Sequence, residues 1–223
     1  MVSLSQVASQ LYLRNQAAAE YLAQVRFRAF ERRRRKSRQN LICLLPKASV
    51  GAELGVFKGE FSVEILRHVA PRELHLVDVW WEAFGEFYPD WGRYTDFGRL
   101  RTRAAYERAV EVATQASPSG TKLIFHVGDD LPYLRSVPDG YFDWVYIDSS
   151  HEYAHTAAEL AILVTKVRRG GLICGDDWTD DEGHVHAGVA RAVKEFLADH
   201  VAAFELKYLR SGQWLLGPPG RQN

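Results

Sequence analysis

The sequence predicts an α/β protein built on a doubly wound, mostly parallel sheet of seven strands. Short, nearly continuous apolar runs alternate with amphipathic stretches from residue 50 onward, and this pattern is typical of a parallel sheet covered on both faces. Two late runs joined by Ser211-Gly212 predict a C-terminal antiparallel hairpin. The predicted strands are 50–55, 73–80, 122–129, 142–148, 170–177, 203–210 and 213–217.

Helices are predicted between the strands and ahead of the first one. Residues 4–38 are rich in Ala, Leu, Gln and Arg, with apolar residues three and four apart, which predicts a helical segment. Later amphipathic stretches predict helices at 61–70, 156–169 and 188–200. We expect a Rossmann-like domain over 45–217, an N-terminal helical extension over 1–44 and a flexible tail over 218–223.

The composition argues against several classes of function. Lys+Arg and Asp+Glu number 28 each in 223 residues, so no overall charge favours nucleic acid or an anionic membrane. Cys43 and Cys174 are too few for a disulfide framework, and we find neither a membrane-spanning run nor a signal-peptide layout. We expect a cytoplasmic protein whose partner is a small molecule, with enough unassigned surface for a homodimer.

The basic run ERRRRKSRQN, residues 31–40, has two interpretations. Its five arginines and one lysine could hold a phosphate-bearing or polyanionic ligand. Alternatively, they form a solvated helix end, where cations complement the helix dipole. We favour the solvated helix end.

Acidic residues end almost every predicted strand, where a doubly wound sheet binds its ligands. The first such end is ELGVFKG, residues 53–59, in which Glu53 is followed by two glycines. Gly55 permits a turn that brings the backbone close to a ligand, and Gly59 lets the next helix pack closely. A purely structural turn explains this short motif almost as well.

The second and third strand ends carry the acids that a nucleoside needs. Asp78 can accept hydrogen bonds from a ribose diol, although a turn or helix-cap acid is the alternative. In HVGDD, Gly128 precedes Asp129, which could accept from an adenine amino group, while Asp129 or Asp130 could instead cap a helix. Together with the first motif, these residues favour a nucleoside-binding site.

As a set, these three motifs resemble the class I S-adenosylmethionine-dependent methyltransferases over roughly residues 45–217. The resemblance implies that the glycine-containing loop holds the methionine part of S-adenosylmethionine. It also implies that Asp78 binds the ribose and Asp129 the adenine.

Three more acids follow the fourth and fifth predicted strands. Adjacent parallel strands lie about 4.8 Å apart, so Asp148 can meet Asp176 and Asp177 at one point. Without a lysine or arginine nearby in sequence these carboxylates would repel, and a divalent cation would relieve the repulsion. Oxygen ligands suit Mg²⁺ or Ca²⁺ better than zinc. A helix cap and a solvated turn are the alternative, but we favour metal.

The segment YIDSSHEYAHTAAELAILVTKVRRGGLICGDDW resembles the metal-dependent O-methyltransferases, in particular the branch (methyltransferase domain 24-like) that methylates sugars of macrolide and aminocoumarin antibiotics. The resemblance implies that Asp148, Asp176 and Asp177 hold Mg²⁺, which binds two neighbouring acceptor oxygens and lowers the pKa of the reacting hydroxyl. It further implies that Asp148 borders the cofactor and that His151 is the general base. The related catechol methyltransferases have lysine where His151 stands.

The segment from 80 to 97 carries eight aromatic residues without a clear period. These rings could stack on adenine and on the acceptor, or they could form a local core or a dimer contact. We expect both, with Trp80 nearest the cofactor. His184 and His186, in a polar stretch after the proposed metal ligands, suit a lid over the acceptor, although a structural role is the simpler interpretation of each alone.

The leading hypothesis is therefore a Mg²⁺- and S-adenosylmethionine-dependent O-methyltransferase acting on a sugar or similar vicinal diol. A methyltransferase with a phenolic, catechol or carboxylate acceptor is the first alternative, because a phenol ionises more easily and needs less help from a metal. A nucleotide-dependent oxidoreductase is the second alternative, against which the spacing of Glu53, Gly55 and Gly59 speaks.

Overall fold

A computed structural model of the chain describes residues 35–220, which contain seven strands and seven α-helices. The strands are β1 (Val50–Leu54), β2 (Glu73–Asp78), β3 (Lys122–Val127), β4 (Phe142–Ile147), β5 (Val167–Gly175), β6 (Glu205–Arg210) and β7 (Gln213–Gly217). The helices are α1 (residues 35–42), α2 (Glu60–Val69), α3 (Trp80–Phe84), α4 (Thr102–Ala116), α5 (Asp130–Ser136), α6 (Tyr153–Lys166) and α7 (Ala187–Asp199), and Gly92–Thr95 forms a 3₁₀ turn.

The strands form one sheet in the order β3-β2-β1-β4-β5-β7-β6. The first five strands pair in parallel, while β7 runs antiparallel to both β5 and β6. The predicted doubly wound, Rossmann-like sheet with a C-terminal antiparallel hairpin is therefore confirmed. The strand order reverses direction between β1 and β4, and the carboxyl ends of the strands around such a point form a ligand-binding crevice.

Alternating side chains of the strands supply two apolar cores, one on each face of the sheet. On β4, Trp144 and Tyr146 belong to one core, with α1, α2 and α4, whereas Val145 and Ile147 belong to the other, with α5, α6 and α7. Trp144 is fully buried, and its indole N–H donates to Ser49 Oγ at 2.8 Å. The strands that carry the candidate site residues are therefore packed on both faces.

Two of the predicted element boundaries need comment. The helix predicted to run through residue 169 was wrong at its end, because α6 stops at Lys166 and β5 begins at Val167, which pairs with Phe142 of β4. The predicted N-terminal helix lies mostly outside the described residues, but within them the chain stays helical to residue 42. Residues 221–223 of the predicted tail also lie outside. None of the described helices is long and apolar enough to cross a membrane.

Candidate active site

A cavity of about 860 Å³ lies at the carboxyl ends of the parallel strands. Its wall is formed by the loops after β1, β2, β3 and β4, together with Arg38 from α1 and part of the aromatic segment. The predicted site residues that line it are Glu53, Gly55, Asp78, Gly128, Asp129, Asp148, His151 and Asp177. The strand ends thus bring most of the residues predicted from the sequence to one surface.

Asp78 organises the loop that follows β1. Its Oδ2 accepts hydrogen bonds from the backbone N–H groups of Val56 (2.8 Å) and Phe57 (2.7 Å), and its Oδ1 accepts from Trp80 N–H at 3.0 Å. Burial raises the pKa of Asp78, and the backbone N–H groups of Phe57, Trp80, Val56 and Val79 partly oppose that effect. A carboxylate oxygen such as Oδ1 can accept more than one hydrogen bond, so it has capacity for a ligand hydroxyl.

Gly55 and Gly59 have different roles in this loop. A Cβ on Gly55, whose φ is +86°, would lie 1.9 Å from the carbonyl oxygen of Asp148, so the glycine allows the ends of β1 and β4 to meet. A Cβ on Gly59 would lie 2.9 Å from Cα of Ala109 in α4. Gly59 therefore permits close packing of α2 on α4, as its spacing suggested, and the described cavity wall does not include it.

Glu53 lies at the floor of the cavity in an unusual state for a carboxylic acid. It is 1% exposed, and its Oε2 accepts from Ser62 Oγ at 2.5 Å. Burial raises its pKa to about 8, with the Ser62 hydrogen bond acting in the opposite direction. Glu53 is therefore mostly protonated at pH 7 and can donate a hydrogen bond to a ligand.

Trp80 does not take the place that we predicted for it nearest the cofactor. It is fully buried, its indole N–H donates to Phe57 O at 2.9 Å, and its ring packs edge-on against Tyr106 of α4. The indole therefore supports the loop from behind, and the described cavity wall does not include it. The rings of the aromatic segment that do reach the cavity are Phe84, Tyr88, Trp91 and Tyr94.

Tyr88 carries a buried hydroxyl that lacks a hydrogen-bond partner among the described residues. The side chain is 3% exposed, packs against Phe57, Phe84 and Trp91, and lines the cavity. Burial raises its pKa above the ordinary value, and the charge of Asp78 adds to this effect. A buried donor without an acceptor costs free energy, so a ligand acceptor at this position would be stabilising.

The adenine end of the predicted site contains a second group of polar side chains. Asp129 caps α5, because its Oδ1 accepts from Leu131 N–H at 2.8 Å. His155 Nε2 lies 2.8 Å from Asp130 Oδ1, and this hydrogen bond raises the pKa of His155. Behind them, fully buried Glu159 accepts from Ser149 Oγ at 2.6 Å, and burial raises the pKa of Glu159. The capping alternative for Asp129 is thus realised, and the side chain also lines the cavity.

Arg38 joins the acids at the ends of β4 and β5. Its Nη2 donates to Asp148 Oδ2 at 2.5 Å and to Asp176 Oδ2, and its Nε donates to Asp176 Oδ2 at 3.1 Å. The Arg38 side chain is 17% exposed, so the interpretation of the basic run as a solvated helix end was wrong for this residue. The partners of Arg38 in the structure are protein carboxylates, and its side chain also lines the cavity. Its neighbours Arg35 and Lys36 are exposed, as a solvated end requires.

Asp176 and Asp177 point in different directions, although they are adjacent in the chain. Asp176 is 3% exposed, and its Oδ1 accepts from the side chain of Gln213 and from Asp177 N–H at 2.8 Å. The Asp177 carboxylate instead meets His151 Nδ1 at 3.2 Å and His186 Nδ1 at 3.3 Å. The acid pair is therefore divided between an arginine and two histidines.

His151 stands between Asp177 and Asp148. Its Nε2 lies 3.9 Å from Asp148 Oδ1, and its ring stacks on His186 with centroids 4.6 Å apart. His151 and Asp177 both have positive φ, +60° and +61°, a conformation that costs free energy for residues other than glycine. Two strained residues with contacting side chains indicate a functional site. His186 belongs to the cavity wall, as a residue of a lid would.

The residues present fit a divalent cation, but not with the set of ligands that we predicted. Within residues 35–220, donor atoms of Asp148, His151 and Asp177 all lie within 4.8 Å of one another. Asp176 is not in this group, because Arg38 and Gln213 engage its carboxylate. Burial raises the pKa of Asp148, and the guanidinium of Arg38 opposes that effect, so Asp148 already has a protein cation beside it.

Comparison with known proteins identifies the family. The family model described as Methyltransferase domain (Methyltransf_24) matches residues 52–178, which include all the strand ends discussed above. The chain belongs to this methyltransferase family. A search of curated proteins found no match. Because the matching family is a methyltransferase family, the comparison gives no support to the oxidoreductase alternative.

Solved structures agree on the fold. The O-methyltransferase TomG from Streptomyces achromogenes, involved in tomaymycin synthesis and solved with SAM, is 20% identical, with a TM-score of 0.51, over 82% of this chain and 78% of that one. The N-methyltransferase NodS from Bradyrhizobium japonicum, solved with S-adenosyl-L-homocysteine, is 15% identical, with a TM-score of 0.54, over 86% and 88%. At these identities the likeness concerns the methyltransferase fold alone.

Sequence reasoning missed Arg38, Gln213 and the hydroxyl of Tyr88. The one feature of the sequence that could have indicated Arg38 was the charge of the three acids, because converging carboxylates need a nearby cation. The run at residues 31–40 has the highest density of arginine in the sequence. Gln213 follows the predicted turn of the hairpin, but nothing in its neighbours indicates that it meets Asp176. No sequence pattern separates Tyr88 from the other rings of its segment.

Proposed function

We propose that this methyltransferase is an S-adenosylmethionine-dependent O-methyltransferase that acts on a hydroxyl of a small molecule, with a sugar or glycoside as the leading acceptor class. The observation that carries the proposal is the contact between His151 and Asp177 in the same cavity as the nucleoside-type acids. One end of that cavity suits a cofactor and the other offers a base for an acceptor hydroxyl.

The cofactor end supports S-adenosylmethionine, which when bound supplies an electrophilic methyl group on a sulfonium. Asp78 Oδ1 can accept from a ribose hydroxyl, and the Tyr88 hydroxyl nearby can donate to an oxygen of the same ligand. Gly128 and Asp129 line the cavity, and we assign them to the adenine. Neutral Glu53 lies beyond Gly55, toward the methionine part, where it offers a hydrogen bond without adding a full charge.

At the acceptor end, His151 is the proposed general base. Nδ1 of the imidazole lies 3.2 Å from Asp177 Oδ2, and this contact orients the ring. Nε2 is then the nitrogen that takes the proton of an acceptor hydroxyl as that oxygen is methylated. The stacked ring of His186 restricts rotation of His151 and narrows access of water to this nitrogen.

Asp148 and Asp177 would hold a divalent cation, and Mg²⁺ fits because it prefers carboxylate oxygens. When bound, the cation would lower the pKa of an acceptor hydroxyl. His151 contributes the third donor of the group but is better suited to proton transfer, since imidazole nitrogen is a poorer ligand for Mg²⁺ than oxygen.

The exposed rings of Trp91 and Tyr94 at the cavity mouth can stack on a sugar ring.

A second candidate function is favoured by Arg38. Because the guanidinium donates to both Asp148 and Asp176 and so reduces their mutual repulsion, these acids depend less on a metal. His151 oriented by Asp177 could then deprotonate an acceptor whose hydroxyl ionises easily, such as a phenol or catechol, without metal assistance. The two candidates share the cofactor and the base, and they differ in the acceptor and the metal.

One experiment separates these candidates. Methyl transfer from radiolabelled S-adenosylmethionine is measured on a panel of glycosides, catechols, simple phenols and carboxylic acids, each with Mg²⁺ and with excess chelator. We expect transfer to a glycoside that the chelator abolishes, and Asp148→Asn should remove this turnover while S-adenosylhomocysteine still binds. Equal rates with chelator on a phenol would favour the second candidate. Absence of S-adenosylhomocysteine binding would contradict both.

A further inference from the structure

Arg38 is held in place from several sides. Next to it on α1, Ser37 Oγ donates to Arg210 O at 2.6 Å, and Gln39 Nε2 donates to Glu64 Oε2 at 2.8 Å. The guanidinium carbon lies 4.8 Å from the centroid of the Phe61 ring, within the range of a cation–π contact. The side chain therefore reaches the acids from an anchored backbone and rests on an aromatic face.

The guanidinium divides the acids into two sets. It donates to both Asp148 and Asp176, and Gln213 engages the other oxygen of Asp176, so Asp176 has neither carboxylate oxygen free of a protein donor. Asp148 is shared, because its Oδ2 faces Arg38 while its Oδ1 faces His151. Asp177 faces the histidines.

From this arrangement we propose that Arg38 is a built-in counter-ion that occupies the cation position between Asp148 and Asp176. A divalent cation entering this site therefore binds through Asp148 and Asp177 without Asp176, and it binds against the repulsion of the guanidinium. The metal affinity of the chain is set by Arg38, which acts as a positioning residue for Asp148. This inference rests on the proposed function for the presence of a metal, and it deepens that proposal by excluding one predicted ligand.

The test is a direct measurement of Mn²⁺ binding to the full-length protein by electron paramagnetic resonance, without cofactor or acceptor. Arg38→Met should tighten Mn²⁺ binding by about tenfold or more, because it removes a buried positive charge next to Asp148 and frees Asp176. Asp176→Asn in the wild-type background should weaken Mn²⁺ binding by less than about tenfold, because it leaves the guanidinium less neutralised without removing a ligand. The same substitution combined with Arg38→Met should abolish the gain.

Matched variants guard against trivial explanations. Arg35→Met removes an exposed arginine of the same helix that pairs with Glu64, and it should leave Mn²⁺ affinity unchanged. Arg38→Lys keeps the charge and should stay near the wild type. If thermal unfolding shows that Arg38→Met does not fold, Arg38→Gln, which can still donate to one carboxylate, replaces it and should show the same direction.

Several results would overturn the inference. Unchanged or weaker Mn²⁺ binding in the neutral Arg38 variants would show that the guanidinium does not compete with the metal. A large loss of affinity in Asp176→Asn alone would show that Asp176 is a ligand after all, and no Mn²⁺ binding in any folded variant would show that the acids form no cation site. Because these measurements involve no methyl transfer, failure to find an acceptor would count against the proposed function and leave this result intact.

Discussion

The two ends of the cavity are held together by contacts of very different range along the chain. At the cofactor end, Asp78 is satisfied by backbone donors 2, 21 and 22 residues away, all between the end of β1 and the start of α3. At the acid end, Asp148 and Asp176 are satisfied by Arg38, which is 110 and 138 residues away. The first end is a local motif, and the second is assembled from remote elements.

This difference explains how the two ends tolerate charge. Backbone donors at the cofactor end are fixed by the turn itself, so a single acid can be buried without a cation. The acid end gathers three carboxylates, and their contacts are divided between the guanidinium of Arg38 and the imidazoles of His151 and His186. Arg38 at the acid end can exchange a carboxylate contact for a ligand, whereas the hydrogen bonds described for Asp78 come from backbone N–H groups that the fold fixes.

Among the variants that test this difference between the two ends, His151→Ala should have the largest effect, which is on kcat. Removing the proposed base should lower kcat by about a hundredfold or more, the usual contribution of a general base. Affinity for S-adenosylhomocysteine should stay within about threefold of the wild type, since the cofactor end does not depend on His151. Steady-state rates and isothermal titration calorimetry measure the two quantities separately.

His68→Ala is the matched control, because this histidine of α2 contacts Glu64 and does not line the cavity. It should change neither quantity. A His151 variant with normal kcat would remove the base from the proposal, and one that loses cofactor affinity in parallel would show that the two ends are not separable.

The same contrast explains how much could be predicted from the sequence. The sheet and its hairpin were predicted correctly because apolar runs and turn residues are local signals, and the convergence of Asp78, Asp129 and Asp148 followed from parallel strands ending at one edge. Arg38 could not be found in this way, because its position depends on contacts of α1 with β6, where Ser37 meets Tyr208 and Arg210. The orientation of the Asp176 carboxylate likewise depends on a hydrogen bond from Gln213, which lies on another strand.

Glu53 should have a smaller effect, which concerns stability. It tests whether the Glu53 carboxyl group is shielded from water as its burial indicates. Its pKa is raised from 4.5 to about 8 in the folded chain by burial, so the folded state retains a proton that the unfolded state has lost. The contribution of Glu53 to the free energy of unfolding should therefore be highest below pH 4.5, fall as pH rises, and level off above pH 8. Between pH 6 and pH 8 this group alone should remove about 2 kcal/mol.

Urea denaturation of the wild type and of Glu53→Gln, across that pH range, measures this contribution as a difference. Glutamine keeps the shape and a donor but cannot titrate, so its curve should lack the part due to Glu53. Parallel curves for the two proteins would contradict a neutral Glu53. Any dependence of the free energy of unfolding on pH that both proteins share then comes from the other titrating groups, which are common to both chains.

Tyr88→Phe gives the smallest effect and sharpens the cofactor end. The substitution removes only the hydroxyl, which has no acceptor among residues 35–220, so the stability of the free protein should stay constant or rise slightly. Affinity for S-adenosylhomocysteine should nevertheless fall about fivefold, which corresponds to one hydrogen bond of about 1 kcal/mol.

Titration calorimetry with S-adenosylhomocysteine and with its 2′-deoxy and 3′-deoxy analogues shows which ligand oxygen accepts the hydrogen bond from Tyr88. If Tyr88 binds one of these ribose hydroxyls, the variant loses no further affinity for the analogue that lacks it. Equal affinity of both proteins for all three ligands would show that the hydroxyl faces no part of the cofactor.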